Sequence, residues 1–138
     1  MVATGIAVHV LHLEFIERLY NPLIKCAARF LVTYRDATGL PRPSYDLWEE
    51  RYGVSTYTAS SVFGGLMAAG NFAELLGKED DAREYRTAAE EVRKGILTRL
   101  VNRDSDYFYK EISHEHGELM QAPDPTLDTA SFIGLFRF

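Results

Sequence analysis

Apolar residues recur at steps of three and four positions in three separate segments of the chain. Such spacing places them on one face of a helix, so it predicts three amphipathic helices. The stripes run from Ile16 to Tyr34, from Ala59 to Leu76 and from Ala82 to Leu100. We therefore expect helices near residues 12–34, 54–77 and 79–102. Gly77 is a natural stop for the second helix, and the acids that open the third helix suit its dipole.

The first stripe contains an interruption. Its members are Ile16, Tyr20, Leu23, Ala27, Phe30, Leu31 and Tyr34. Pro22 follows Asn21 inside this stripe. Because proline is accepted at the first position of a helix behind an asparagine cap, we expect the helix to restart there. Cys26 falls on the inner side of the pattern, which predicts a small buried residue.

The second stripe is dense in small residues, which allow neighbouring helices to approach on more than one side. They are Ala59, Gly64, Gly65, Ala68, Ala69, Gly70 and Ala73. A helix with neighbours on two sides is typical of a layered helical assembly. The pattern therefore predicts an all-α fold built from antiparallel helix hairpins.

The chain beyond the third helix is less regular. Residues 106–112 alternate enough to predict a short strand or extended piece, and a long loop should follow. The last ten residues, TASFIGLFRF, begin an apolar helix without a polar face. We expect their large side chains, and apolar residues of the second helix, to be unusually exposed or to be covered by another copy of the chain. The residues meant at the terminus are Phe132, Ile133, Leu135, Phe136 and Phe138.

Composition narrows the class of protein. The chain has 138 residues, 46% of them hydrophobic and 25% charged, which is typical of one globular domain. The net charge of −5, with no cluster of basic residues, argues against nucleic acid or an anionic membrane as a partner. A single cysteine cannot form an internal disulfide, and the N-terminal apolar run is too short to cross a membrane. A cytoplasmic location is expected.

The segment between the first two predicted helices is unusual for a loop. Residues 39–58 read GLPRPSYDLWEERYGVSTYT, with the only tryptophan of the chain next to two adjacent glutamates. Carboxyl pairs cleave glycosidic bonds, but the two groups must face each other across the sugar, and the neighbours Glu49 and Glu50 diverge. One of them could serve as the acid while the other binds sugar. Trp48 and Tyr45 offer flat faces for a sugar ring. On spacing alone, a packed indole beside two solvated acids is the more common explanation for such a segment.

The sequence resembles glycoside hydrolase family 15, the family of glucoamylases and glucodextranases. The resemblance is carried by residues 39–77, with YDLWEE as its core, and extends to LEFIERLYNPLIKCAARFLVTYRD and DPTLDTASFIGLF. It implies an (α/α)6 barrel of six inner and six outer helices. The expected fold is therefore all-α, as an incomplete segment of this α/α toroid.

The resemblance also implies roles for the residues of the loop. Glu49 would be the general acid that protonates the leaving glycosidic oxygen, and Glu50 would bind a hydroxyl in the adjoining subsite. Asp46 would be a supporting carboxylate near the acid. The wall of the pocket would be formed by Tyr45, Leu47 and Trp48.

Family members place their catalytic base and several sugar-binding residues in parts of the barrel that match nothing in these 138 residues. We therefore expect residues 1–138 to be one partial catalytic domain, because about four helices cannot close a twelve-helix barrel. No acid near the second long loop matches the base. The candidates considered are Glu111, Glu115, Glu118, Asp124 and Asp128. His114 and His116 lie two apart beside acids, yet such loops are usually solvated, so neither a metal nor a cofactor is expected.

Three functions remain open from the sequence. The first is part of an inverting α-glucoside hydrolase that acts on an α-linked oligosaccharide or disaccharide and is inactive in isolation. The second is a non-catalytic helical module that binds carbohydrate or another protein. The third is a helical scaffold unrelated to sugars, for which only the apolar terminus argues.

Overall fold

A computed structural model of the protein describes residues 13–115, 118–119 and 123–131. Within these residues there are three long helices, each close to its predicted range. The first, α1, is α-helical over residues 13–19, π-helical over Tyr20–Lys25 and α-helical again over Cys26–Thr33. The second, α2, spans Thr56–Leu75, and the third, α3, spans Glu79–Arg99.

Helices α2 and α3 form a hairpin that supplies most of the core. Ser55 caps α2, because its hydroxyl oxygen accepts the backbone N–H of Thr58 at 3.1 Å. Gly77 ends the helix as predicted, with a φ of +68° that glycine adopts without strain. The side chains buried between the two helices include Leu66, Ala73, Tyr85, Val92 and Ile96.

Helix α1 differs from its prediction in two ways. Pro22 does not restart the helix; instead, the π turn carries the chain past it, and proline needs no donor there. A π turn accommodates an extra residue, so the buried face rotates. Leu23 and Phe30, expected on the inner face, are 57% and 58% exposed. Cys26, expected to be buried, is exposed as well.

The buried face of α1 follows the rotated pattern. Tyr20 and Ala28 are buried, and Ile24 and Leu31 pack against the same core. The unusual exposure predicted for α2 is not observed, because its large core-facing side chains are buried and Leu75, near its end, is its one exposed large apolar residue. The apolar residues after 131, for which exposure was also predicted, lie outside the described residues.

The prediction of a purely all-α fold is wrong, because an antiparallel sheet of four short strands accompanies the helices. Its strands, in spatial order, are β1 (Ser44–Tyr45), β2 (Tyr52–Ser55), β5 (Glu111–Glu115) and β6 (Glu118–Leu119). A separate pair consists of β3 (Val101–Asn102) and β4 (Tyr107–Phe108). Residues 113–115 and 118–119, expected in a loop, are therefore in strands. The fold is mainly helical with a small sheet.

The pairing of β2 with β5 positions the segment that carries the adjacent glutamates. Gly53 lies opposite Ser113, and Val54 lies opposite Ile112. A side chain at Gly53 would collide with the carbonyl oxygen of Ile112, so the two strands depend on glycine for their close approach. The loop before α2 is thus fixed to a strand that follows α3. Among the described residues, no helix has the length and apolar character needed to cross a bilayer.

Candidate active site

The YDLWEE segment forms the turn of the hairpin between β1 and β2. The backbone N–H of Asp46 donates to the carbonyl of Arg51 at 2.9 Å, and that of Glu49 donates to the carbonyl of Asp46 at 3.1 Å. These bonds close a compact turn. The four residues between Asp46 and Arg51 are all exposed at its tip.

The buried side chain of Asp46 stabilises this turn through hydrogen bonds to its backbone. Its side chain is only 7% exposed. Its Oδ1 atom accepts the backbone N–H of Glu50 at 2.9 Å and, more weakly, that of Arg51 at 3.4 Å. Its Oδ2 atom is buried and has no hydrogen-bond partner among the described residues. The side chain of Asp46 thus supplies an acceptor for backbone N–H groups of the turn.

Glu49 occupies a strained backbone conformation. Its φ is +56°, in the left-handed region, which costs a residue other than glycine about 1–2 kcal/mol. Strain of this kind persists only where the surroundings enforce it, and it is concentrated at functional sites. The side chains of Glu49 and Glu50 are exposed, and within the described part of the chain neither makes a hydrogen bond or an ion pair. Both carboxyl groups are thus free to meet a ligand.

Apolar and aromatic surface surrounds the two glutamates. Tyr45, Leu47 and Trp48 are exposed large side chains of the same hairpin. The rings of Tyr45 and Tyr52 contact edge to face, with 5.4 Å between their centroids. Exposed aromatic faces beside carboxylates suit a sugar, which presents C–H groups and hydroxyls together.

Arg51 connects the hairpin to the segment after α3. Its guanidinium lies 2.8 Å from Oδ2 of Asp124 and 3.7 Å from Oε1 of Glu111, whose side chain is fully buried. A hydrogen bond with the side chain of Thr126 is the main cause that lowers the pKa of Asp124; the backbone N–H of Thr126 and the charge of Arg51 add to it, and burial opposes it. These acids act as anchors for Arg51 in this structure.

Lys110 and Asp128 form a second connection. Nζ of Lys110 lies 3.1 Å from Oδ2 of Asp128, and both side chains are mostly buried. The backbone N–H of Ala130 is the main cause that lowers the pKa of Asp128; Lys110 adds to it, and burial opposes it. The hydrogen bond to Asp128, with help from the charge of Asp46, raises the pKa of Lys110.

Two cavities lie near the hairpin. A small one of about 10 Å³ lies behind the turn, far too small for a sugar. It is lined by Asp46, Leu47, Trp48, Ser55, Tyr57, Lys110, Asp128, Ala130 and Ser131. A wider groove of about 430 Å³ lies beside Leu127 and Phe108 and contains none of residues 45–50. A ligand of Glu49 and Glu50 must therefore rest on the outer face of the turn.

The six residues predicted for the site are consecutive in the chain and share one turn, and the structure adds anchors that the sequence did not indicate. Arg51 could have been noticed, because it is the only basic residue between Pro43 and Val54. Lys110 and Asp128 carry no local signal, since their pairing depends on how distant segments fold. Among the described residues no group of three or more potential ligands could hold a metal ion. The side chains of His114 and His116 lie outside the described residues.

Comparison with known proteins gives two matches. The sequence profile of the family described as glycosyl hydrolases family 15 matches residues 15–134. A protein described as an uncharacterized glycosyl hydrolase from Methanocaldococcus jannaschii is 30% identical over 122 residues. The match covers 88% of this chain and 18% of that relative, so the chain spans less than a fifth of the relative's length.

Proposed function

Because the chain belongs to glycosyl hydrolases family 15, we propose that it is the acid-bearing part of an inverting α-glucoside hydrolase. Glu49 is the general acid in this proposal, and the substrate is an α-linked oligosaccharide or disaccharide. The observation that carries the proposal is the strained, exposed Glu49 at the tip of a turn that Asp46 braces.

In this proposal, this chain supplies the acid of the reaction, and the rest of the barrel supplies the base. Glu49 gives its proton to the glycosidic oxygen as the bond to the sugar breaks. A base outside this chain activates water on the opposite face of the ring, at a carboxyl separation of about 6.5–9.5 Å in inverting enzymes. The product therefore has the β configuration. With the acid alone, the isolated chain is expected to show no hydrolysis above background.

The other residues of the hairpin bind and orient the sugar. Glu50 accepts a hydrogen bond from a hydroxyl group, and Trp48 and Tyr45 pack against the ring, with Leu47 completing the wall. Asp46 touches no sugar; it holds the backbone on which Glu49 and Glu50 stand. Asp124 and Asp128 are engaged by Arg51 and Lys110, which favours structural roles for both.

A chimeric enzyme tests the role of Glu49. In it, this chain replaces the matched segment of the Methanocaldococcus jannaschii relative, and glucose release from maltose and isomaltose is measured. Glu49→Gln should lower kcat by about 10²–10⁴ with little change in KM, because the amide keeps the contacts but gives up no proton. Glu50→Gln should mainly raise KM. If Glu49→Gln leaves kcat unchanged in an active chimera, Glu49 is not the acid.

The isolated chain allows a second test. Titration with maltose or isomaltose should change the fluorescence of Trp48 in a saturable way, whereas β-linked cellobiose should not. Sugar binding without any effect of Glu49→Gln on turnover in the chimera would favour a non-catalytic carbohydrate-binding module. Hydrolysis by the isolated chain, abolished by Glu49→Gln, would place a base within these 138 residues.

A further inference from the structure

We infer that Lys110 and Asp128 are positioning residues for the YDLWEE turn. They fix the orientation of Trp48 and the place of Asp46, and through Asp46 the backbone of Glu49 and Glu50. The inference rests on the proposed role of Glu49 for its catalytic meaning. Its structural content is independent of that role, because it concerns how the turn is held.

The carboxylate of Asp128 is held at both oxygens. Its Oδ2 atom pairs with Nζ of Lys110 at 3.1 Å, and its Oδ1 atom accepts the backbone N–H of Ala130 at 2.8 Å. Only 12% of its side chain and 15% of that of Lys110 are exposed. Pairs on a protein surface are mobile and contribute little, but a shielded pair fixed to the backbone is a rigid point of attachment.

Trp48 lies beside the pair formed by Lys110 and Asp128. It lines the small cavity together with Lys110 and Asp128. Because this cavity is very small, the indole is packed close to the fixed pair, while 55% of the residue stays exposed. An exposed aromatic ring held in this way is a preorganised surface for a ligand.

Asp46 also lies beside the pair formed by Lys110 and Asp128. Its Oδ2 atom is buried without a hydrogen-bond partner among the described residues, and Asp46 and Lys110 line the same small cavity. A buried carboxylate needs a compensating charge, and Lys110 is the cationic residue among those that line this cavity. Removing the ammonium group would leave Asp46 and Asp128 as two negative charges facing one small cavity.

The effect reaches Glu49 through the other oxygen of Asp46. Oδ1 holds the backbone N–H groups of Glu50 and Arg51, which lie directly after the strained Glu49. A shift of Asp46 therefore moves both glutamates. Reacting groups must stay within about 0.5 Å of their productive geometry, so a small shift is sufficient to reduce turnover.

The fluorescence of the intact chain tests the inference, since Trp48 is the only tryptophan. Asp128→Asn removes the charge but keeps an oxygen for the backbone bond to Ala130, because asparagine caps as well as aspartate. In the absence of sugar we expect a red-shifted emission maximum and a larger acrylamide quenching constant. Lys110→Met should act in the same direction, and Lys110→Arg should restore most of the wild-type signal.

Asp81→Asn is the matched control. Asp81 pairs with Lys25 at 2.7 Å between α3 and α1, and its side chain is shielded to a similar degree, 16% exposed. This substitution should lower stability but leave the emission and quenching of Trp48 unchanged. If Asp128→Asn and Lys110→Met also leave them unchanged in folded protein, the inference is overturned.

Two further results are decisive. If Asp128→Asn does not fold, Lys110→Met gives the same comparison, and unfolding of both variants would show that the pair holds the fold rather than the turn. A wild-type chain whose Trp48 does not respond to α-linked sugars counts against the proposed function, while the sugar-free comparison still decides the positioning role. In the chimera, a positioning role predicts that Asp128→Asn lowers kcat more than it raises KM.

Discussion

Oδ1 of Asp46 accepts the backbone N–H of Glu50 at 2.9 Å across the turn that carries Glu49. The two residues are four apart, and the bond makes the position of both glutamates depend on a buried side chain. A hairpin alone would fix only the ends of the turn. The bond from Asp46 fixes its tip, which is the part that carries exposed acids.

Replacing Asp46 should therefore cost stability as well as alignment. In Asp46→Ala the N–H groups of Glu50 and Arg51 lose their acceptor, and we expect the free energy of unfolding to fall by about 1–3 kcal/mol. Urea unfolding measures this change. Asp104→Ala, at an exposed acid outside the hairpin, is the control and should be nearly neutral. If both substitutions lower the free energy of unfolding by the same amount, the hydrogen bonds to Asp46 do not stabilise the turn.

Glu49 and Glu50 should respond differently to glycine. Glu49→Gly relieves the strain of a positive φ, so stability should stay constant or rise by about 1 kcal/mol. Glu50 has no positive φ, so Glu50→Gly should lower stability by about 0.5–1 kcal/mol through the greater freedom of the unfolded chain. Thermal unfolding of the two variants, side by side, gives the comparison. A clear loss of stability in Glu49→Gly would contradict the strained conformation.

Acidification should destabilise the fold. The hydrogen bond from Lys25 is the main cause that lowers the pKa of Asp81, and the backbone N–H of Ala130 is the main cause for Asp128. A carboxyl with a lower pKa in the folded state contributes stability that is complete above the unfolded pKa of about 3.9 and is lost as the pH falls through the folded value.

The free energy of unfolding should accordingly decrease as the pH falls from about 5 to about 2, where the unfolded chain binds more protons. Asp81→Asn and Asp128→Asn should each make that decrease smaller, because a side chain that does not titrate has been substituted. Denaturant titrations across this range measure the slope. If the free energy of unfolding depends on pH in the same way in both variants and in the wild type, Asp81 and Asp128 do not control that dependence.

Tyr20 should contribute to stability through its hydroxyl group. Its Oη donates to Oδ2 of Asp81 at 2.8 Å, and the residue is 1% exposed. Tyr20→Phe keeps the ring in the core but removes this bond, which should cost about 1–2 kcal/mol. Tyr52→Phe, at a residue that is 47% exposed, is the matched control and should change little. Calorimetry of both variants checks the difference.

The helices could be predicted from the sequence because their signals are local. In α2 and α3 the apolar stripe, the stop at Gly77 and the acids at the start of α3 all agree. The position of helix α1 was predicted correctly, but the side of the helix that is buried was not. No periodicity reveals a π turn in advance, and the turn at Tyr20–Lys25 rotates Leu23 and Phe30 out of the core.

The sheet and the anchors of the turn could not be predicted in the same way. Strands of two residues, such as Ser44–Tyr45, are too short to show alternation, and their existence depends on a distant partner. The YDLWEE turn was recognisable from its own residues. The contacts of Lys110 with Asp128 and of Arg51 with Asp124 join segments that are far apart in the chain.

The pairing of Val54 with Ile112 also has a consequence for the order of folding. The hairpin of α2 and α3 lies entirely between these two residues and can form from local contacts, whereas the strand pairing must first close a long loop. During synthesis β5 leaves the ribosome only after both helices. We expect pulsed hydrogen exchange during refolding to protect the amides of α2 and α3 before those of β2 and β5, so the Glu49 turn is completed late.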